Sequence, residues 1–297
     1  MATPFDTAPR DVPDEPGSRR KGRTGSRLLA HLTLIAGGLV MVYPLLWLLS
    51  SSLKPADQIF TDLSLIPDRF VSSNYAEGWN GLGTAFSVFF LNSLVVAVGA
   101  VAGNLVACSM AAYAFARLNF RFKKFWFAVM LLSIMLPHHV TLIPQYAIFL
   151  ELDWINTYLP LIVPKFLAVD AFFIFLMVQF IRGIPRELED AAKVDGCGPV
   201  AIYWRIVLPL LTPALATTAI FTFIWTYNDF FTQLVYLSDT DMFTVPLGLR
   251  SFLDASGESS WGPMFAMSVL SLIPVCLIFA FFQRRLTEGI STTGMKG

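Results

Sequence analysis

Apolar residues in this chain gather in long unbroken runs. They do not follow the alternating or three-to-four spacing of half-buried strands and surface helices. Five runs carry no Asp, Glu, Lys or Arg over at least 22 residues: 28–49, 86–115, 125–150, 206–228 and 259–283. About 20 mostly apolar residues cross a bilayer as a helix. A sixth run, 158–181, contains Lys165 and Asp170. A charge at the centre of a membrane helix costs about 2.5–3.5 kcal/mol on insertion scales, so this run is expected to turn those residues toward protein or water. The pattern predicts an all-α polytopic membrane protein with six transmembrane helices. Its transmembrane domain is expected over 28–283, between an arm at 1–27 and a tail at 284–297.

Composition agrees. Hydrophobic residues make up 55% and charged residues 14%, with a mean hydropathy of +0.62. A soluble domain carries about 25% charged residues. The same numbers exclude a disordered chain. Nucleic-acid binding by bulk charge is excluded too, because 21 basic residues face 21 acidic ones. With the N-terminus placed in the cytoplasm, 17 of the 21 Lys and Arg fall on the inner side. That asymmetry predicts both termini inside a cell (plasma) membrane. The arm 1–27, rich in Pro, Asp, Arg and Gly, is expected to be disordered, its basic end touching anionic lipid. The run 28–49 exceeds the usual 7–15 apolar residues of a signal peptide and is expected to stay as the first span.

Three cysteines (Cys108, Cys197, Cys276) give no disulfide framework, and the three histidines do not cluster with them for a metal site. His138 and His139 are adjacent, about 100° apart on a helix, and make poor co-ligands.

The polar segment 184–209 lies between the fourth and fifth runs. Pro185 suits a first helical turn, and Glu187, Glu189 and Asp190 place negative charge at the positive end of the helix dipole. Ala191 and Ala192 admit a close surface. Gly196 reads as a helix stop, reinforced by Gly198-Pro199. A second short helical stretch, 200–207, leads into Leu208-Pro209. Physics alone leaves open an amphipathic connector on the membrane surface.

The spacing narrows this. Asp190-Ala191-Ala192, three residues, Gly196, nine residues, then Ile206-x-Leu208-Pro209 resembles the EAA loop of the membrane subunits of binding-protein-dependent ABC importers. Beyond residue 28 the chain is similar to the maltose-permease type, the second membrane subunit of carbohydrate importers. The similarity is carried by Ser51-Ser52-Leu53-Lys54, Asn74-Tyr75, the stretch Ala112 to Leu118, Leu142 to Tyr146, Tyr227 to Phe231 and Thr244 to Leu249. The family usually has Glu where this chain has Asp190, one methylene shorter. Glu189, beside it, points elsewhere on the helix.

The resemblance implies a transmembrane permease subunit of an ATP-driven importer for a mono- or oligosaccharide. It is not an enzyme by itself. No Walker A motif occurs, so no cofactor is expected on this chain, and ATP-Mg is used by a partner. The implied partners are a second permease in a heterodimer, two copies of an ABC ATPase, an extracytoplasmic sugar-binding protein, the sugar and the lipid bilayer. Asp190 is implied as the electrostatic anchor to the ATPase, with Ala191 and Ala192 for close packing and Gly196 for the turn. Ile206 and Leu208 are implied to pack the second short helix against the first, and Pro209 to set the entry angle of the fifth span.

Lys165, Asp170, Asn228 and Asp229 are the candidates for the substrate pathway. Asn92, Asn104, Gln179 and Gln233 read first as helix-to-helix hydrogen-bonding groups. The polar, net acidic loop 238–261 is either a solvated loop or, by resemblance, an approach to the binding protein. A polyol or glycerol phosphate importer and an ATPase-independent secondary transporter are the alternatives. A membrane-embedded enzyme lacks any catalytic constellation here.

Overall fold

The computed structural model describes residues 23–253 and 259–294. The side chains of residues 23–27, of His138 and of residues 284–294 are not described, and most of the expected disordered arm lies outside the described residues. Regular structure among the described residues is entirely helical. The chain divides into two compact units, Met1–Trp47 and Leu48–Gly297. The first unit holds most of the helix Arg23–Ser51.

Four stretches among the described residues are long and apolar enough to cross a membrane: Leu28–Ser51, Phe86–Arg117, Leu159–Gly183 and Trp261–Gln283. A bent pair, Pro199–Leu210 with Thr212–Tyr227, makes a fifth at a 74° bend. The expected run 125–150 is instead two shorter helices, Lys123–Ser133 and His138–Glu151. Pro137 opens the second of them, and a residue preceding proline is steered away from the helical region. Proline carries no charge, so the break lies inside a charge-free run.

The helix Phe86–Arg117 is the hub of the second unit. It packs chiefly on Thr212–Tyr227 and Ala171–Gly183. Its buried face reads Phe86, Phe89, Ser93, Val96, Ala100, Gly103, Asn104, Cys108 and Ala112, and small residues there let neighbouring backbones approach. Gly103 shows how closely. A Cβ at this position would stand 2.9 Å from the carbonyl carbon of Lys165 and 2.8 Å from Phe166.

The fourth run is not one regular helix. A short helix Leu159–Ile162 passes into a tight 3-10 turn, Val163–Leu167, and Ala168 takes a left-handed backbone at φ 54°. The helix then resumes as Ala171–Gly183, whose first-turn amides of Phe173 and Ile174 donate to the Asp170 carbonyl. At membrane depth irregular backbone survives only where protein or a cavity surrounds it.

The loop after Ser51 is knotted by a buried cation. Lys54 Nζ donates to the carbonyls of Asp62 (2.6 Å) and Ser64 (2.7 Å) and lies 3.3 Å from the Asp62 carboxylate. Asn74 Nδ2 donates to the carbonyls of Ser52 and Lys54, both at 3.0 Å. Bonds from Ser64 to Asp62, and then the neighbouring Lys54, hold that carboxyl below its ordinary value.

Candidate functional site

The segment after Ala171–Gly183 folds as a helix, a glycine turn and a second helical stretch. The helix is Glu187–Val194, with Glu187, Glu189 and Asp190 in its first turn and Lys193 in its last. Each charge lies at the dipole end that favours it. Gly196 adopts φ +83°, a backbone region that a Cβ makes costly. After Pro199–Ile202 the chain widens into a π-helical turn, Tyr203–Val207, then bends around Leu211 into Thr212–Tyr227.

The two sides of Glu187–Val194 have different surroundings. Outward lie Asp190, Ala191, Lys193 and Val194, all exposed. Asp190 pairs with Lys193 at 2.8 Å, and that bond holds the Asp190 carboxyl below its ordinary value. Such an exposed pair adds little to stability. Inward, Ala192 joins a buried cluster with Ile181, Ile202, Tyr203, Val207 and Leu211, and Ile206 and Leu208 pack against it. The neighbouring alanines thus split their tasks, since Ala192 packs into its own chain and Ala191 stays open. Pro209 is exposed just before the bend.

Glu189 also points inward, where the sequence placed it only as negative charge at the start of the helix dipole. It is buried, and its Oε1 lies 2.5 Å from Arg117 Nε at the end of the hub helix. Arg117 also donates to the Ile184 carbonyl at 2.6 Å. The signal was available: Arg117 closes the stretch Ala112 to Leu118 that carried part of the resemblance, and Glu189 sits next to Asp190.

A second feature is a cavity of about 390 Å³ beside the break in the fourth run. Its polar lining includes Gln145, Lys165, Asp170, Thr226, Asp229 and Gln233, with Trp225 and Tyr236 supplying aromatic surface. Lys165 Nζ meets Asp170 Oδ2 at 2.8 Å, and Asn104 Nδ2 donates to that same oxygen at 2.6 Å and to Thr222 at 3.0 Å. The five-residue spacing of Lys165 and Asp170 left their pairing open; the 3-10 turn and the left-handed Ala168 bring them together.

The remaining sequence candidates separate. Asp229 lines the cavity, its Oδ1 accepting from the Thr232 amide at 3.1 Å. Asn228 is not part of the lining; it donates to the Ile224 carbonyl one helical turn back. Asn92 donates to the carbonyls of Asp241 and Phe243, each at 2.8 Å, and so ties the start of the loop 238–261 to the hub. Gln233 is buried, donates to Thr226 and accepts from the Thr244 hydroxyl. Gln179 is exposed. Among the described residues no three His, Cys, Asp or Glu gather as metal ligands.

Long apolar helices, a polar, ion-paired cavity lined in part by two of them, Leu159–Gly183 and Thr212–Tyr227, and a polar helix-turn-helix between those two define an integral membrane protein with a polar site at membrane depth. The chain belongs to the family of binding-protein-dependent transport system inner membrane components, whose model matches residues 99–292. It is 33% identical to a probable ABC transporter permease protein of Bacillus subtilis, over 97% of this chain and 93% of that one. It is 33% identical to an arabinooligosaccharides transport system permease protein of Halalkalibacterium halodurans, over 87% of this chain and 92% of that one. An sn-glycerol-3-phosphate transport system permease protein of Yersinia pestis is 30% identical, over 91% of this chain and 98% of that one. The fold is shared with a chain of a bacterial ABC transporter involved in the import of the acidic polysaccharide alginate. That match has a TM-score of 0.76 at 22% identity and covers 91% of this chain and 99% of that chain. The chain is a multi-pass inner-membrane permease.

Proposed function

We propose that this chain is the transmembrane permease subunit of an ATP-driven carbohydrate importer, working by alternating access. The observation that carries the reading is the segment 184–209, with Asp190 and Ala191 outward on a short helix and Ala192 inward. That outer face is suited to a separate ABC ATPase, with Asp190 as its anchor. ATP-driven closure of the ATPase moves the helix, and hydrolysis reverses the movement. ATP-Mg is used by the ATPase, and this chain binds no cofactor. A second permease, two ATPase copies and an extracytoplasmic binding protein complete the assembly. Both termini face the cytoplasm, and six spans result when Lys123–Ser133 and His138–Glu151 together cross the membrane as a broken helix.

The cavity is the pathway. Among the described lining residues Lys165 is the only basic one, and Asp170 neutralises it while Asp229 adds a negative charge. A phosphate needs donors and positive charge, so the lining favours a neutral sugar over glycerol phosphate. Trp225 and Tyr236 offer faces for sugar C–H groups beside the hydrogen-bonding rim.

The test is uptake of labelled neutral oligosaccharides by proteoliposomes holding the purified complex with ATP inside. ATP-dependent uptake that falls at least tenfold in Asp190→Lys and Gly196→Arg is the expected result. Uptake that persists without ATP, or with the ATPase absent, refutes the reading in favour of a secondary transporter.

A further inference from the structure

Three residues of the hub helix, Ser109, Tyr113 and Arg117, recur every four positions and therefore share one face. Each bonds to the segment that follows Ala171–Gly183. The Ser109 hydroxyl meets the Tyr203 hydroxyl at 2.8 Å. The Tyr113 hydroxyl donates to the Pro199 carbonyl at 3.1 Å. Arg117 pairs with Glu189 at 2.5 Å and donates to the Ile184 carbonyl at 2.6 Å. The rungs span about 12 Å of helix at 1.5 Å per residue. Arg117 and Glu189 are 5% and 6% exposed, against 58% and 66% for the surface pair of Lys193 and Asp190. Separating a buried pair strands two charges away from water, so it resists opening far more than a surface pair does.

We propose that these rungs make the helix Glu187–Val194 and the end of the hub helix one mechanical body, with Arg117 and Glu189 as the positioning residues. Movement imposed on Glu187–Val194 is then delivered directly to Phe86–Arg117, and not only along the chain to its sequence neighbours. The hub carries it onward. Asn104, about 20 Å up the same helix from Arg117, holds the Asp170 carboxylate at the cavity. The salt-bridged end and the cavity end thus belong to one rigid element. The inference rests on the reading that an ATPase docks on Glu187–Val194.

Spin labels at Phe120→Cys and Val194→Cys, with Cys108, Cys197 and Cys276 changed to Ser, test it in the reconstituted importer complex. The expected result is a distance that stays within about 2 Å between nucleotide-free and ATP-trapped states. A change above about 5 Å, with the ATPase still bound, overturns the single-body proposal. Loss of the ATPase from the unmutated complex overturns the docking reading instead, so the two failures are distinguishable.

Variants supply the functional arm. Glu189→Gln is expected to retain the ATPase and hydrolyse ATP within about threefold of the parent, while uptake per ATP falls at least tenfold. Glu189→Asp and Arg117→Lys restore part of it. Tyr113→Phe, which removes one rung and little volume, lowers uptake per ATP two- to threefold even if Glu189→Gln does not fold. Unchanged uptake per ATP in both Glu189→Gln and Tyr113→Phe overturns the proposal.

Discussion

The ion pair in the cavity offers the sharpest energetic test. Asp170 Oδ2 accepts from Lys165 at 2.8 Å and from Asn104 at 2.6 Å. A hydrogen bond to a charged group contributes about 1.5–3 kcal/mol. The side chains of the pair are 28% and 27% exposed, so solvent screens part of this. Asp170→Asn keeps an amide oxygen for Asn104 but removes the counter-charge of Lys165, and the expected loss is about 2 kcal/mol. At about 2–4 °C per kcal/mol for a chain of this size, the melting midpoint falls by about 4–8 °C. Lys165→Met costs less, about 1 kcal/mol, because Asp170 keeps its bond from Asn104. The double variant is expected to be more stable than the summed losses by about 1 kcal/mol. Intrinsic tryptophan fluorescence during heating in detergent reads all four proteins. Losses that add within about 0.5 kcal/mol mean the charges do not interact, and the ion-pair reasoning fails.

Other perturbations probe other parts of the molecule. Lys54→Met leaves the Asp62 and Ser64 carbonyls without their ammonium donor and is expected to cost about 2–4 kcal/mol, read as a lower melting midpoint and faster proteolysis of the loop 55–66. The Asp62 carboxyl lies below its ordinary 3.8 when folded, so its contribution is present above that pH and is lost as pH falls through the folded value; loop proteolysis is expected to rise below about pH 4 and to do so less in Asp62→Asn. Gly103→Val drives a side chain against the Lys165 backbone and is expected to cost about 1–3 kcal/mol and to slow uptake, whereas Gly38→Val, with nothing within 4 Å of the added Cβ, leaves the melting midpoint unchanged. Gly196→Ala places a Cβ at φ +83° and is expected to cost about 1 kcal/mol, measured by the same melting assay.

The alternating tasks along Glu187–Val194 show how far one-dimensional reading reaches. Asp190, Ala191, Ala192 and Gly196 were visible as a spaced motif, and the turn at Gly196 takes the backbone expected of a glycine. Which alanine packs inward was not visible, because both share the same chemistry and only the placement of the hub helix distinguishes them. Glu189 was legible only as a helix-dipole charge, and its partner was hidden for the same reason. A carboxylate beside a charged neighbour reads as solvated until a buried arginine from 72 positions earlier is found against it. Asn228 and Asp229, treated alike in the sequence, part company at the end of a helix, where one carboxylate enters the cavity lining and the amide beside it turns back on its own backbone.

Membrane residence, helical architecture and the family were written in the sequence, because the bilayer demands long charge-free runs and the segment 184–209 carries fixed residue types at a fixed spacing. The break at residues 134–137 was legible too, in Pro137, whereas the break at 168–170, the closing of Lys165 onto Asp170, and the face joining Ser109, Tyr113 and Arg117 to the segment 184–209 were decided by tertiary structure. Each depends on where separate helices meet. A charged or polar side chain in an apolar setting takes whichever distant partner satisfies it, and spacing along the chain does not encode that distance.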